Sequence, residues 1–187
     1  PALDDAPDPL RIQAEVKNFS LGDRVEAKQQ RHMNRGGTFG VSAALDALVD
    51  SKFVITEDNA DMVGVIVGAG GGGTELIIEN QAILDTKGPR RITPFLVANF
   101  TPDAVSGHIA IATGARGPTM GFVSACATGR GCIGEAFATV KRGQAVACIA
   151  GRPAALLLTL HHAPCSATKP LQSDTEQVQS NWVWLGR

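Results

Sequence analysis

No apolar run in this sequence approaches the roughly 18 residues of a membrane span. A membrane partner is therefore not expected. There is no excess of charge either. The net charge of -1 at pH 7 offers no basic surface to nucleic acid or to an anionic bilayer. The opening, PALDDAPDPLRIQ, has neither a basic start nor a hydrophobic stretch, so it does not read as a signal peptide. No initiator Met precedes Pro1, which implies processing or truncation. Cysteine is scarce, at positions 126, 132, 148 and 165, with no CxxC pair and no His at ligand spacing. A zinc site is not expected, nor any other metal or cofactor. Without a secretion signal, the expected compartment is the cytoplasm, where the thiols stay free. No internal repeat is present.

What is there fits a globular α/β protein. The chain has 187 residues, 44% hydrophobic and 19% charged, enough to bury a core without staples. Its 21 glycines cluster, which points to tight turns and close backbone packing.

Residues 1–22 read as extended, with one short strand candidate, IQAEVKNF. A polar surface helix is expected over "DRVEAKQQRHMNR", interrupted by Gly36-Gly37. "TFGVSAALDALVDS" follows as a helix with Val41, Ala44, Leu45 and Leu48 on one apolar face. "ITEDNADM" reads as a turn. "MVGVIVG" (62–68), "TMGFVSA" (119–125) and "QAVACIAG" (144–151) are continuous apolar runs suited to strands buried on both faces. Helices are expected between them. One is "ELIIENQAILD". Another lies within residues 95–118 and ends near Gly114. A third covers "CATGRGCIGEAFATVKRG", with Ile133, Ala136, Phe137 and Val140 as its stripe, Lys141 and Arg142 in its last turn and Gly143 as its cap. Strands alternating with helices over 62–151 imply βαβ units and a sheet with helices on its faces. After Gly151 the text loses both periodicities.

Cys126 is the first chemical candidate. It stands where a strand turns into a helix, beside backbone N–H groups and a positive dipole end. Thiols so placed are more readily held as thiolate. A strand–turn–helix elbow also presents a nucleophile to substrate, and Ser124, Ala125, Ala127 and Gly129 leave room for an acyl group. The alternative is a small buried side chain, which is also the reading for Cys132, Cys148 and Cys165. Gly68, Gly70 and Gly73 spell GxGxxG after a strand. The dinucleotide fingerprint also needs an acidic residue ending a second strand about 20 residues on, and "DTKGPRRITP" stands there instead. Close helix–strand packing accounts better for these glycines. Lys87, Arg90 and Arg91 read as a solvated loop. His108 reads as a hydrogen-bonded core residue, and His32 as a surface residue. His161 and His162 fall in the irregular tail.

"GPRRITPF", "SGHIAIATGARGP" and "VSACATGRGCIGEAFATVKRGQAVACIAG" together resemble the N-terminal half of the β-ketoacyl-acyl-carrier-protein synthases. The elongating condensing enzymes of fatty acid synthesis come first in likeness, and polyketide ketosynthases next. The likeness runs from about residue 10 to Gly151. It implies a thiolase-like layered α/β/α fold, an incomplete N-terminal half with a mixed sheet, over 1–151 and without the family's first strand. Cys126 would be the nucleophile, its backbone N–H one of two oxyanion donors. Thr101 and Ala125 would touch the acyl chain. The partners implied are an acyl carrier protein, bearing acyl and malonyl thioesters, and a second copy paired through 119–125. The likeness has departures. Asp103 stands for the usual Asn, Pro102 falls in an expected helix, and Gly36-Gly37 should weaken theirs by up to about 1 kcal/mol per Gly. The family's two histidines, lysine and second oxyanion loop have no match. Single acid–base groups are worth about 10²–10⁴-fold, so residues 1–187 alone are expected to condense negligibly. Residues 152–187 are expected to be a non-matching tail, out of frame or disordered, with a divergent native tail as the alternative. A condensing acyltransferase and a non-catalytic remnant or interaction module both remain open.

Overall fold

Three parallel strands carry the architecture. In the computed structural model, which describes residues 16–154 and the backbone of 183–186, the strands are β1 (Val63–Val67), β2 (Thr119–Met120), β3 (Ala147–Gly151) and β4 (Val183–Gly186). Their order is β2-β1-β3-β4. The first three are parallel and β4 runs antiparallel to β3, so the sheet is mixed. Register is Val65 opposite Thr119 on one side and Val63 opposite Ala147 on the other. Every residue of β1 and β3 is buried, as two-faced burial requires of such apolar runs. Leu21–Ala154 with Asn181–Arg187 form one compact unit that holds every element named here.

The helices are α1 (Ala27–Gln30), α2 (Arg35–Ser51), α3 (Thr74–Lys87), α4 (Leu96–Phe100), α5 (Ala104–Thr113) and α6 (Thr128–Lys141). Strand alternation sorts the core into two faces. Ile66, Cys148 and Ala150 pack with Cys132 and Ala136 of α6. The opposite face meets α5. Ser106, fully buried, accepts from the Val67 N–H (3.2 Å), and its hydroxyl lies within donating distance of the carbonyls of Val67 (2.6 Å) and Met120 (2.8 Å). One side chain thus ties β1 and β2 to α5. Behind α5 lies α2, whose Gly40 has Val105 Cγ1 only 2.6 Å from where a Cβ would stand.

Several expectations change. Gly36-Gly37 do not interrupt a helix but open α2. The side chain of Asn34 caps that helix by accepting from the Gly37 N–H at 2.7 Å. The polar helix before it shrinks to a single 3-10 turn and α1. Residues 16–19 form no strand, and the rest of IQAEVKNF lies outside the described residues. The run 119–125 is not a buried strand: only Thr119 and Met120 pair, and Met120, Phe122 and Val123 are exposed. Among the described residues, β2 has a neighbour on one side only. On α6 the buried stripe is Thr128, Cys132, Ala136 and Thr139, while Ile133 and Phe137 face outward. Small residues let this helix approach the sheet. Gly143, at φ +71°, follows the end of α6 as expected. Pro102 falls between α4 and α5, where the expected helix is broken.

Candidate functional site

Because β1, β2 and β3 are parallel, their carboxyl ends share one edge of the sheet, the edge at which open α/β folds bind ligands. Three segments leave it: the glycine run after β1, residues 121–127 after β2, and Arg152 after β3.

The middle segment is an elbow. Residues 121–124 lead into a 3-10 turn, Ala125–Ala127, which runs directly into α6. Ala125 has φ +46°, in the left-handed region that L residues avoid at a cost of about 1–2 kcal/mol. Thr128 holds this bend. Its buried hydroxyl accepts from the Ser124 N–H (3.0 Å) and donates to the Ala125 carbonyl (2.7 Å). Ala127 N–H donates to Ser124 O at 2.9 Å. Cys126 sits on the outside of the bend, exposed, with a free thiol. Its backbone N–H occupies a helix start, where amides lack intrahelical acceptors.

The elbow is seated on glycines. A Cβ at Gly68 would stand 1.8 Å from the Phe122 carbonyl oxygen and 2.8 Å from Thr128 Cγ2. At Gly73 it would stand 2.5 Å from the Asn99 carbonyl oxygen, and at Gly70 2.7 Å from Arg152 Nη2. The GxGxxG run therefore serves close packing, as expected. The turn bearing Thr101 also reaches the elbow. Thr101 ends α4 with extended backbone, and a Cβ at Gly121 would stand 2.5 Å from Asp103 Cα. The structure thus brings the Thr101–Asp103 turn against the segment that carries Ala125 and Cys126.

The other sulfurs and histidines do different work. Cys132 and Cys148 are fully buried, and burial pushes both thiols up. His108 Nε2 pairs with Asn99 Oδ1 at 2.7 Å, and Asn99 Nδ2 donates to the Phe95 carbonyl at 2.9 Å, so His108 ties α5 to α4. Burial, and next the nearby His32, hold its imidazole below the usual range. His32 lies against the Phe95 ring, centroids 3.9 Å apart. Lys87, Arg90 and Arg91 are exposed. His161, His162 and Cys165 lie outside the described residues. Among the described residues no three His, Cys, Asp or Glu side chains converge as metal ligands, and no helix is long and apolar enough to cross a membrane. Sequence reasoning passed over Thr128, Ser106 and Arg152. A hydroxyl two residues after the cysteine, at the helix start, was the available signal for Thr128.

An exposed cysteine thus stands on a strained turn that leads into a helix, at the carboxyl edge of a mixed sheet with helices packed on both faces. The chain belongs to the family described as beta-ketoacyl synthase, N-terminal domain, whose model matches residues 9–181. It is 38% identical over 175 residues to the 3-oxoacyl-[acyl-carrier-protein] synthase 2 of Staphylococcus aureus, covering 93% of this chain and 43% of the relative. The synthase of the same name from Synechocystis is 38% identical over 161 residues, covering 86% of this chain and 39% of the relative. The chain thus spans less than half the length of these curated relatives. Among solved structures, a type II PKS acyl-carrier protein in complex with its ketosynthase bound to the hexaketide gives a TM-score of 0.75. It is 21% identical and covers 82% of this chain and 44% of that one. A beta-ketoacyl synthase from Burkholderia phymatum gives 0.68 at 21% identity, covering 84% and 38%. These structural likenesses bear on the fold.

Proposed function

We propose that this chain supplies the acyl-accepting half of a 3-oxoacyl-[acyl-carrier-protein] synthase of fatty acid or polyketide synthesis, with Cys126 as its nucleophile. The observation that carries this reading is the exposed Cys126 beside Ala125 at φ +46°, immediately before α6. The Cys126 thiolate attacks the thioester carbonyl of an acyl carrier protein. The oxyanion that forms is met by the Cys126 backbone N–H. Collapse expels the carrier's thiolate, which takes up a proton, and leaves an acyl thioester on Cys126. In the condensation that follows, a malonyl-carrier protein loses carbon dioxide. The carbanion attacks the acyl-enzyme carbonyl, and the Cys126 thiolate departs. The chain leaves as a β-ketoacyl thioester, longer by two carbons.

Thr101 and Ala125 border the acyl chain in this reading. A carrier protein as partner is supported by the neighbour solved with its own. The exposed Met120 of β2, with the exposed Phe122 and Val123 just after it, supports pairing with a second copy there, since a strand edge with no partner among the described residues and apolar side chains beside it invites another strand. The compartment proposed is the cytoplasm. The division at Gly151, with 152–187 a tail that is out of frame or a divergent native one, is a proposal set beside a β4 strand that pairs with β3 and a family match that continues to residue 181. Downstream coding DNA tests it: no histidine motifs of a condensing enzyme in another frame would refute it. The transfer step is tested by incubating the 187-residue chain with an acyl-carrier protein thioester and weighing the carrier. The carrier should lose its acyl mass in proportion to added chain. Undiminished loss with Cys126→Ala, or no loss with the native chain, would overturn the reading.

A further inference from the structure

The threonine that clasps the elbow also fixes the peptide group in front of Cys126. Thr128 is fully buried. Its Cγ2 fills the space left by the missing side chain of Gly68, 2.8 Å from where a Cβ there would stand. A β-branched side chain is stiff at χ1, so seating the methyl on Gly68 aims the hydroxyl at the turn. The Ala125 carbonyl then receives two donors from one residue, the Thr128 hydroxyl at 2.7 Å and the Thr128 backbone N–H.

Those two bonds decide where the Cys126 N–H points. The Ala125 carbonyl and the Cys126 N–H belong to one peptide group. A peptide group is planar and trans, with its C=O and N–H pointing in opposite directions. The carbonyl is pinned toward the buried Thr128, so the N–H faces away from it, to the outer side of the bend where Cys126 is exposed. Among the described residues no backbone carbonyl accepts that N–H, whereas the next one, Ala127 N–H, is occupied by Ser124 O at 2.9 Å. A free donor beside the nucleophile is what an acyl-transfer oxyanion requires. Turning it inward would rotate the peptide and carry the Ala125 carbonyl off Thr128. Strained backbone such as Ala125 at φ +46° persists only where its surroundings over-determine it, and the Thr128 bonds do so here. We propose that Thr128 is a positioning residue for acyl transfer: by holding the Ala125 carbonyl inward, it presents the Cys126 N–H to the oxyanion. This inference rests on the reading of Cys126 as the acyl-accepting nucleophile.

The test sets two reactions of the same sulfur side by side in the 187-residue chain. Acylation by an acyl-carrier protein thioester passes through an oxyanion, and alkylation by iodoacetamide does not. Thr128→Val keeps the shape of the side chain and removes its hydroxyl. It should slow acylation of Cys126 about ten- to a hundredfold. Losing an oxyanion donor outright costs about 10²–10³-fold, and the Thr128 backbone N–H still holds the carbonyl in this variant. Its alkylation rate and the pH profile of that rate should stay within about twofold of the native chain, because the thiol itself is untouched. Thr128→Ser restores the hydroxyl without the methyl that locks it, and should recover most of the acylation. If Thr128→Val does not fold, Thr128→Ala replaces it with the same expectations. Acylation of the hydroxyl-free variant at the native rate would overturn the proposal. Equal losses of acylation and alkylation would overturn it too, since they mark a collapsed elbow, as would no recovery in Thr128→Ser. A native chain alkylated at Cys126 but never acylated fails differently: it removes the acyl-transfer reading, and this proposal with it.

Discussion

Gly68→Ala tests whether the glycine run exists to seat the elbow. The added Cβ would stand 1.8 Å from the Phe122 carbonyl oxygen, whereas real Cβ atoms essentially never approach closer than 3.0 Å, so Phe122 must retreat by at least about 1.2 Å. The obstruction is backbone, and it is fenced by Thr128 Cγ2 at 2.8 Å, so no side-chain rotation relieves it. Overpacking in tight interiors costs about 1–3 kcal/mol, and this case belongs at or above the upper end. For a chain of this size that lowers Tm by roughly 6–12 °C. Gly107→Ala and Gly134→Ala are the controls. Both lie inside helices with nothing within 4 Å of the new methyl, so each should gain up to about 1 kcal/mol from helix propensity. Differential scanning calorimetry of the three variants decides. A Gly68→Ala midpoint within about 1 °C of the native chain would refute the packing argument.

Three other outcomes are expected. Ser106→Ala leaves the buried Val67 N–H without its acceptor and should cost about 1–3 kcal/mol, read as a shift in urea midpoint; an unchanged midpoint contradicts the bracing role given to Ser106. His108 takes up a proton near 6.5 when unfolded, but burial and His32 keep it neutral to lower pH when folded, so the unfolded chain binds more protons and stability falls as pH drops below about 6.5. Glu75 works in the opposite sense, its carboxyl raised by burial and Glu79 against the pull of Arg35. His108→Gln should therefore gain on the native chain from pH 7.5 down to 5.5, and parallel stability curves would contradict this. Iodoacetamide should label Cys126 in the folded chain but reach Cys132 and Cys148 only on unfolding; early labelling of either buried thiol would contradict the core described above.

The strands of the sheet were legible where both faces are covered. β1 and β3 are unbroken apolar runs, and the structure buries every residue of each. The run at 119–125 has the same composition but lies at a sheet edge, and composition does not distinguish an edge from a centre. Phe122 and Val123 stay exposed there. The α6 stripe was read half correctly: Ala136 is buried and Val140 packs against the same cluster, but Ile133 and Phe137 face outward, because close approach to the sheet selects small residues such as Cys132. Gly36-Gly37 read as a breaker because the cap from Asn34 depends on where the helix starts. The elbow at Cys126 was legible from its small neighbours and from the helical stretch on its C-terminal side. Its clasp was not, because Thr128 acts through two backbone groups that only the folded turn brings within reach of one hydroxyl.

The most direct measurement is a peptide map of the 187-residue chain after exposure to an acyl-carrier protein thioester, quenched in acid to preserve thioesters. The acyl mass should appear on the peptide containing Cys126, be released by hydroxylamine, and vanish in Cys126→Ala. An acyl group found on Cys132 or Cys148, or none on Cys126, would contradict the account.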